Sequence, residues 1–581
     1  MIKRKKRICL VVTLFSLALV LVCMVVNQKT EPYTEAEIAF SVEENFLSES
    51  QELTLSAPVE ADIYYTLDGS TPSNGSTRYR SPILLEAGEE VRGIPVRAVA
   101  YYGDGSTSEV CTRTYLTGTD ISDRFSTLVV EITTDPGNLY DYDNGILVAG
   151  RLWDDYLAEN PDAEATDRTP ANFNLRGDAS ERSASVEMWT PDGNRIVSQN
   201  MGIRVHGGTS RGADMKSLRL IARKEYGERR LKAALFPDLT SEQTGSVIES
   251  YKRVLLRNHG NDQEFACLRN ELCQRLAKDA GFPDTQSFRG AAVFLNGSYY
   301  GFEWLEELYD SNYLHERYGT NESQGSWEIV TPHRGAADTA SEEELDIRAV
   351  QDINLTYAYQ NLDLTDDGLF RELSGRLDID NFLQYCALEI YLSNPDWPDN
   401  NCRVYRWYSA NESYAGTYTD GRWRYVLYDM DICLARTGSS EADNPTLGEV
   451  LGAVESNWNR KSYLLPALLR RQDMQERFTE IMEEMMNGAF SYEHASEVLD
   501  GMVEEMNPEI EFYFQKAEAE EEEEELTPEA GAAKRKERYE EELEKIREFL
   551  RLRPQTMREE LERLPEYIHI WEEQRAEELQ E

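Results

Sequence analysis

From Ala39 to about Thr117, apolar and polar residues alternate in short runs broken by turn residues, the period-two pattern of strands with one buried face. Residues 61–66 (ADIYYT) and 94–101 (IPVRAVAY) carry it most plainly. Between them Leu67-Asp68-Gly69-Ser70-Thr71-Pro72 concentrates turn chemistry, Gly for positive φ and Pro for a fixed one. The next stretch mixes periods. Leu128 to Ile132 reads as a buried strand, and Met201 to Ile221 as two strands around a glycine-containing turn. Phe265 to Ala280 places Cys267, Leu268, Leu272, Cys273 and Leu276 at steps of three and four, which predicts a helix. Ala291 to Leu305 is interrupted by Asn296-Gly297, the type I′ hairpin pair. Phe382 to Leu392 is helical, 403–408 and 423–427 are strands, and the chain is helix-rich beyond Pro466. The acidic block Glu518 to Glu525 and the mixed block Pro528 to Arg538 are expected to be solvated helix or an acidic insertion near 516–538, with an acidic tail over 566–581. The pattern is of the α+β class, with an all-β, Ig-like sandwich over 39–118 and a larger unit over 119–565.

The N-terminus differs in kind. MIKRKKR precedes an uncharged apolar run from Ile8 to Val26, 19 residues long. As a helix it spans ~28 Å, close to the hydrocarbon thickness of a bilayer. The basic flank then lies inside and the bulk outside. Residues 1–27 are therefore expected to be a basic tail and single-pass membrane anchor, or else a cleaved signal peptide, with 28–38 a stalk. The net charge of −47, from 107 acidic against 60 basic residues, argues against nucleic acid as a partner. It fits a soluble acidic surface, with basic proteins as partners. The cysteines beyond the apolar run follow no metal-binding or disulfide-framework spacing and are expected to be free or buried thiols. His206, His259 and His333 have no metal-site spacing, and Trp304, Trp407 and Trp423 sit in strand patterns that predict core positions.

Candidate chemistry concentrates downstream. Asp396 and Asn401 stand five residues apart in NPDWPDNN, the Asp-to-Asn step of a phosphotransferase catalytic loop. The hairpin that follows ends in Tyr428-Asp429-Met430-Asp431, placing a second acidic group at the same sheet edge. Such oxygens suit Mg²⁺, with Asp396 as the base or orienting group, Asn401 and Asp429 as metal ligands, and Asp431 as a further ligand or its support. Asp399 is a rival base. Upstream, Gly207 and Gly208 lie in a turn ending at Arg211, whose backbone N–H groups would approach phosphate, and Lys216 follows on the next strand. No Walker, zincin or nucleophile-elbow sequence is present.

Taken in order, IRVHGGTSR, KSLRL, VLLRN, LRNELCQRLA, FLNGSYYGFEWLEE, D-x-x-x-x-N at Asp396, YDMD at Asp429 and Arg553-Pro554 resemble the CotH family of atypical protein kinases. YYTLDGSTPS with Tyr79 and SPI resembles the small β-sandwich at the C-terminus of chitobiases. The first resemblance implies a two-lobed kinase-like fold that binds ATP with Mg²⁺ or Mn²⁺ and phosphorylates Ser/Thr of surface or coat proteins. Carried over residue by residue, it implies Asp396 as the catalytic Asp, Asn401 and Asp429 as metal ligands, and Lys216 as the phosphate-contacting Lys. Glu271 would pair with Lys216, and Glu307 would lie near the hinge. The rival readings are a non-catalytic surface scaffold on the same fold, and binding of cell-wall glycan through the β-sandwich.

Overall fold

The computed structural model describes residues 38–332, 347–398, 400–409, 417–456, 462, 464–516 and 527–578. Among them no helix is long and apolar enough to cross a membrane. The apolar run 8–26, the stalk to residue 37, His333, Asp399 and the acidic block 518–525 lie outside the described residues. The chain divides into two units, Met1–Thr119 and Asp120–Glu581.

In the first unit, strands Phe46–Leu47, Cys111–Thr117, Arg92–Tyr102, Ala61–Thr66 and Thr77–Arg78 lie side by side in that order. Gln51–Leu53 pairs separately with Ile83–Leu85. Alternate residues Ile63, Val96, Ala98, Ala100 and Tyr115 meet Leu53 and Leu85 in the core. In the turn after Ala61–Thr66, Asp68 accepts from the Ser70 N–H at 3.0 Å and Gly69 takes φ +82°.

The strands of the second unit are numbered from its start: β1 Leu128–Thr133, β2 Arg182–Trp189, β3 Arg195–Val205, β4 Leu218–Ile221, β5 Arg253–Arg257, β6 Phe288–Leu295 and β7 Ser298–Glu307. They close a barrel in the order β1-β2-β3-β4-β5-β7-β6, with β6 running parallel to β1. Every second residue points inward: Val130, Val186, Ile203, Leu220, Val254, Val293 and Leu305 share one core. The intervening residues face outward, and those of β7 meet a second core of helices, to which Phe302 and Trp304 belong. At the β6–β7 hairpin Asn296 and Gly297 take φ +50° and +81°, as the type I′ turn requires.

Helix α1 (Arg269–Asp279) follows β5. It begins later than the apolar spacing suggests, because the Asp262 carboxylate accepts the N–H groups of Ala266, Leu268 and Arg269 at 3.2, 3.0 and 3.0 Å and fixes the start there. Beyond it, β8 (Ser326–Val330), β9 (Arg403–Tyr408) and β10 (Arg424–Val426) form a three-stranded sheet, and α2 (Ile379–Tyr391) precedes the 394–401 loop. The C-terminal helices include α3 (Tyr492–Lys516), α4 (Pro528–Glu562) and α5 (Leu564–Glu578). Residues 528–538 are helical, the first turns of α4, though Arg535 is buried there and donates to the Phe514 carbonyl at 2.6 Å. Residues 566–578 are not a tail, since Tyr567, Ile568 and Trp571 pack into the helical core. Cys267, Cys273, Cys386, Cys402 and Cys433 are buried free thiols, and Cys111 is half-buried.

Arg553 on α4 is fully buried. It donates to the carbonyls of Ile390, Tyr391, Ala442 and Asn444 at 2.7–3.0 Å, and so ties α4 to the end of α2 just before the 394–401 loop. Replacing Arg553 by Met removes all four of these buried bonds. We expect a loss of about 3 kcal/mol, read as a lowered midpoint in urea or thermal unfolding.

Candidate functional site

The site forms where the outer face of the barrel meets the 394–401 and 427–435 segments. In the first of these, the Asn394 side chain accepts the Asp396 N–H at 3.0 Å and donates to buried Glu389 at 2.8 Å. Burial raises the Glu389 carboxyl to about 8. The Asn401 amide then donates to the Asp396 carboxylate at 3.2 Å and to the Asp429 carbonyl at 3.4 Å. Asn401 and Asp429 both sit at positive φ, +50° and +60°, a strained backbone held by these bonds. The structure thus brings Asp396, Asn401 and Asp429 together, as their positions at one sheet edge suggest.

The centre of the site is a residue that the sequence reading passes over. Arg257, at the end of β5, reaches Asp429 at 2.7 Å, Asp431 at 2.9 Å and Glu271 on α1 at 3.7 Å. Glu306 of β7 lies beside Glu271, and Asn270 donates to both carboxyls at 3.1 Å. Desolvation is the leading cause that raises Glu271, and it pushes Glu306 well above the carboxylate range, against the pull of Arg257. Asp429 is pushed up to about 7, by burial first and then by Asp431. Its side chain is still 32% exposed, so it faces solvent at the rim of the cluster. Asp431 is buried and fully engaged: besides Arg257, the Asn261 N–H and side-chain amide bond to it at 2.9 and 3.3 Å. The turn carrying Asn261 closes on it so tightly that a Cβ at Gly260, which takes φ +60°, would lie 1.9 Å from the Asp431 carboxylate.

Helix α1 fixes the same segment from the other side. The Asn270 side chain accepts the Met430 N–H at 3.1 Å, and the Gln274 side chain donates to the Leu427 carbonyl at 3.1 Å.

The other expected site residues have different surroundings. Lys216 does not meet Glu271. Its ammonium donates to the Ala213 carbonyl at 2.6 Å and lies 4.5 Å from the centre of the Phe173 ring, and burial lowers it to about 8. Arg211 is buried and spends its guanidinium on the carbonyls of Phe173, Val205 and Gly207 at 2.7–2.8 Å, so it staples the turn. Gly207, at φ +112°, leaves no room for a Cβ, which would lie 2.3 Å from the Ser210 hydroxyl; Gly208 is exposed. Glu307 faces away from the cluster, because neighbours on a strand point to opposite sides. It accepts the Ser287 N–H at 2.9 Å inside a small pocket with Tyr251, Arg253 and Tyr313, while Glu306 takes the place beside α1. Arg257 and Glu306 both lie in quoted motifs, VLLRN and FEWLEE, but only the strand register shows which members of those motifs face the site.

Removing the guanidinium would leave crowded carboxyls with no cation. We expect Arg257→Met to lose roughly 3–5 kcal/mol near pH 8. Glu271, Glu306 and Asp429 already hold protons more tightly than unfolded carboxyls do, and more so in the variant. Its deficit should therefore shrink as pH falls toward 5, where these groups are protonated, and grow as pH rises through their folded values. Urea unfolding at several pH values measures this directly.

Comparison with known families bears on the same residues. A family model described as Fn3 associated matches residues 52–115 of the first unit. No curated protein matches the chain. A family model described as CotH kinase protein matches residues 203–557, more than half of the chain and all of the site, and the chain therefore belongs to the CotH family.

Proposed function

We propose that this protein is an ATP-dependent kinase that transfers the γ-phosphoryl group to Ser or Thr of a surface or coat protein outside the cytoplasm. The observation that carries this reading is the single hydrogen-bonded circuit Asp396–Asn401–Asp429, joined through Arg257 to Glu271 on α1. A protein kinase needs these parts: an Asp at the attacking hydroxyl, an Asn and an Asp on metal, and a basic side chain on a strand paired to a helix Glu. On this reading the barrel is the smaller lobe and the helices the larger. The basic member of the pair is Arg257 rather than Lys216.

The donor set fits Mg²⁺ or Mn²⁺. It offers carboxylate and amide oxygens, and its carboxyls outnumber the one guanidinium, which leaves Asp429 short of compensating charge. Asp429 and Asn401 would hold the ion, with Asp431 supporting Asp429 through Arg257. When bound, the ion would neutralise charge on the phosphate oxygens. Among the described residues no three His, Cys, Asp or Glu side chains are placed to hold a metal ion, so water and phosphate would supply the remaining ligands. Asp396 orients the substrate hydroxyl and takes its proton as the phosphoryl group leaves ADP for that oxygen. The Asn401 amide keeps the Asp396 carboxylate aimed during that transfer.

Incubated with labelled ATP, Mn²⁺ and a basic protein substrate, the wild type should incorporate phosphate. Asp396→Ala and Asp429→Ala should each lose ~10²–10³ in rate. Incorporation unchanged in both variants, or none in the wild type, would count against the reading. The raised Asp429 adds a second test, because a cation binds only its ionised form. Mn²⁺ affinity should rise about tenfold per pH unit below pH 7 and level off above it, and Asp429→Asn should abolish that slope in calorimetric titrations.

A further inference from the structure

Behind Asp396 lies a buried pair that the phosphoryl-transfer reading leaves unused. Glu389 stands in the last turn of α2, Asn394 opens the 394–401 loop, and both are fully buried. They are bonded twice. The Asn394 N–H donates to the Glu389 carbonyl at 3.1 Å, and its side-chain amide donates to the Glu389 carboxyl at 2.8 Å. The same amide nitrogen meets the Sδ of Met430, which lies between Asp429 and Asp431, at 3.6 Å. With the nitrogen turned to these two partners, the side-chain oxygen of Asn394 faces the loop, where it accepts the Asp396 N–H at 3.0 Å. Pro395 disfavours a further helical turn at Asn394, and Ser393 takes φ +56°, so the chain leaves α2 directly into this arrangement. A carboxyl sealed among the apolar side chains of the helical core is costly, as the burial that raises Glu389 to about 8 records. An apolar residue would pack there more cheaply, so stability alone does not account for a glutamate.

We propose that Glu389 and Asn394 are positioning residues for phosphoryl transfer: Glu389 holds the Asn394 amide in the orientation whose oxygen fixes the Asp396 N–H, and so sets where the Asp396 carboxylate meets the substrate hydroxyl. This rests on the kinase reading of the site. It extends the catalytic loop inward, from Asp396 through Asn394 to α2, whose end Arg553 secures. An amide turned the other way would set its own N–H against the Asp396 N–H and push the loop away. Asn401 aims the Asp396 carboxylate from the front, whereas this pair fixes the backbone that carries it.

The test is steady-state phosphate transfer by the full chain, with labelled ATP, Mn²⁺ and a basic protein substrate. Wild type is compared with Glu389→Gln, Glu389→Met and Asn394→Leu. Gln keeps an oxygen for the Asn394 amide and should retain most of the wild-type kcat. Met and Leu break the chain of bonds and should each lower kcat roughly 10–100-fold, the effect of a small misplacement of a reacting group. KM for ATP should barely move in any of them, because metal and phosphates are held by other residues. An unchanged kcat in the Met and Leu variants would overturn the proposal, as would a Gln variant that loses as much as the Met variant. So would a rise in KM for ATP that matches the fall in kcat, the mark of general damage to the site. A second measurement, on wild-type protein, does not depend on how the variants fold. Between Pro395 and Pro398 the chain has two amides, those of Asp396 and Trp397, since proline has none. By hydrogen exchange and mass spectrometry at least one of them should exchange as slowly as the amides of α2; fast exchange of both overturns the proposal. The two readings fail separately. Transfer that survives intact in the Met and Leu variants removes the positioning role and leaves the kinase. No transfer by the wild type, with an Asp396 amide protected there and in Glu389→Gln but not in Glu389→Met, removes the kinase and leaves the positioning of Asp396.

Discussion

The site depends on one buried guanidinium. Arg257 stands among Glu271, Asp429 and Asp431, with Glu306 close behind, and these come from a helix, a loop and a strand far apart in the chain. Carboxyls so close and so poorly solvated repel one another strongly, and only a cation at their centre lets the three elements meet. A planar, permanently charged fork serves several carboxylates at once, which a lysine ammonium does less well. The remaining strain is taken up by protons, as the raised carboxyls of Glu271, Glu306 and Asp429 record. An arrangement short of positive charge and open at Asp429 is suited to receive a metal ion.

Two more buried arginines extend this scheme to the C-terminal helices. Arg269 at the start of α1 contacts Asp262 at 2.5 Å and Glu542 of α4 at 2.6 Å, and Arg553 secures the end of α2. Each holds an element that bears directly on the site: α1 carries Glu271, and α2 leads into the Asp396 loop. Helix α4 thus braces the elements that carry the functional loops. That accounts for a late Arg-Pro element in a chain whose chemistry lies some 120 residues earlier.

Carboxylates from α1 and the 429–431 segment gather at Arg257, and Arg219 of β4 bonds to neutral His206. In a chain of net charge −47, a group of arginines beside strained carboxylates is a local inversion of the background. The Lys216 ammonium, turned onto a carbonyl and a ring, contributes to the shape of the glycine turn instead.

Much of this was legible in the sequence because it is local. Period-two alternation marked the strands of the first unit, Asn296-Gly297 marked the hairpin of the second, and steps of three and four marked α1. The spacing of Asp396, Asn401 and Asp429 around a hairpin placed them at one edge, since a hairpin brings its two ends together. The sequence could not say that the strands close into a barrel, because the parallel β1–β6 pairing joins residues some 160 positions apart. Nor could it choose Arg257 over Lys216, or Glu306 over Glu307. Each choice turns on which face of a strand looks toward the helices, and adjacent residues differ only in that. Composition and periodicity determined the elements and the edge at which chemistry collects. The tertiary packing decided which charges meet there, because burial and register set the cost of each buried charge.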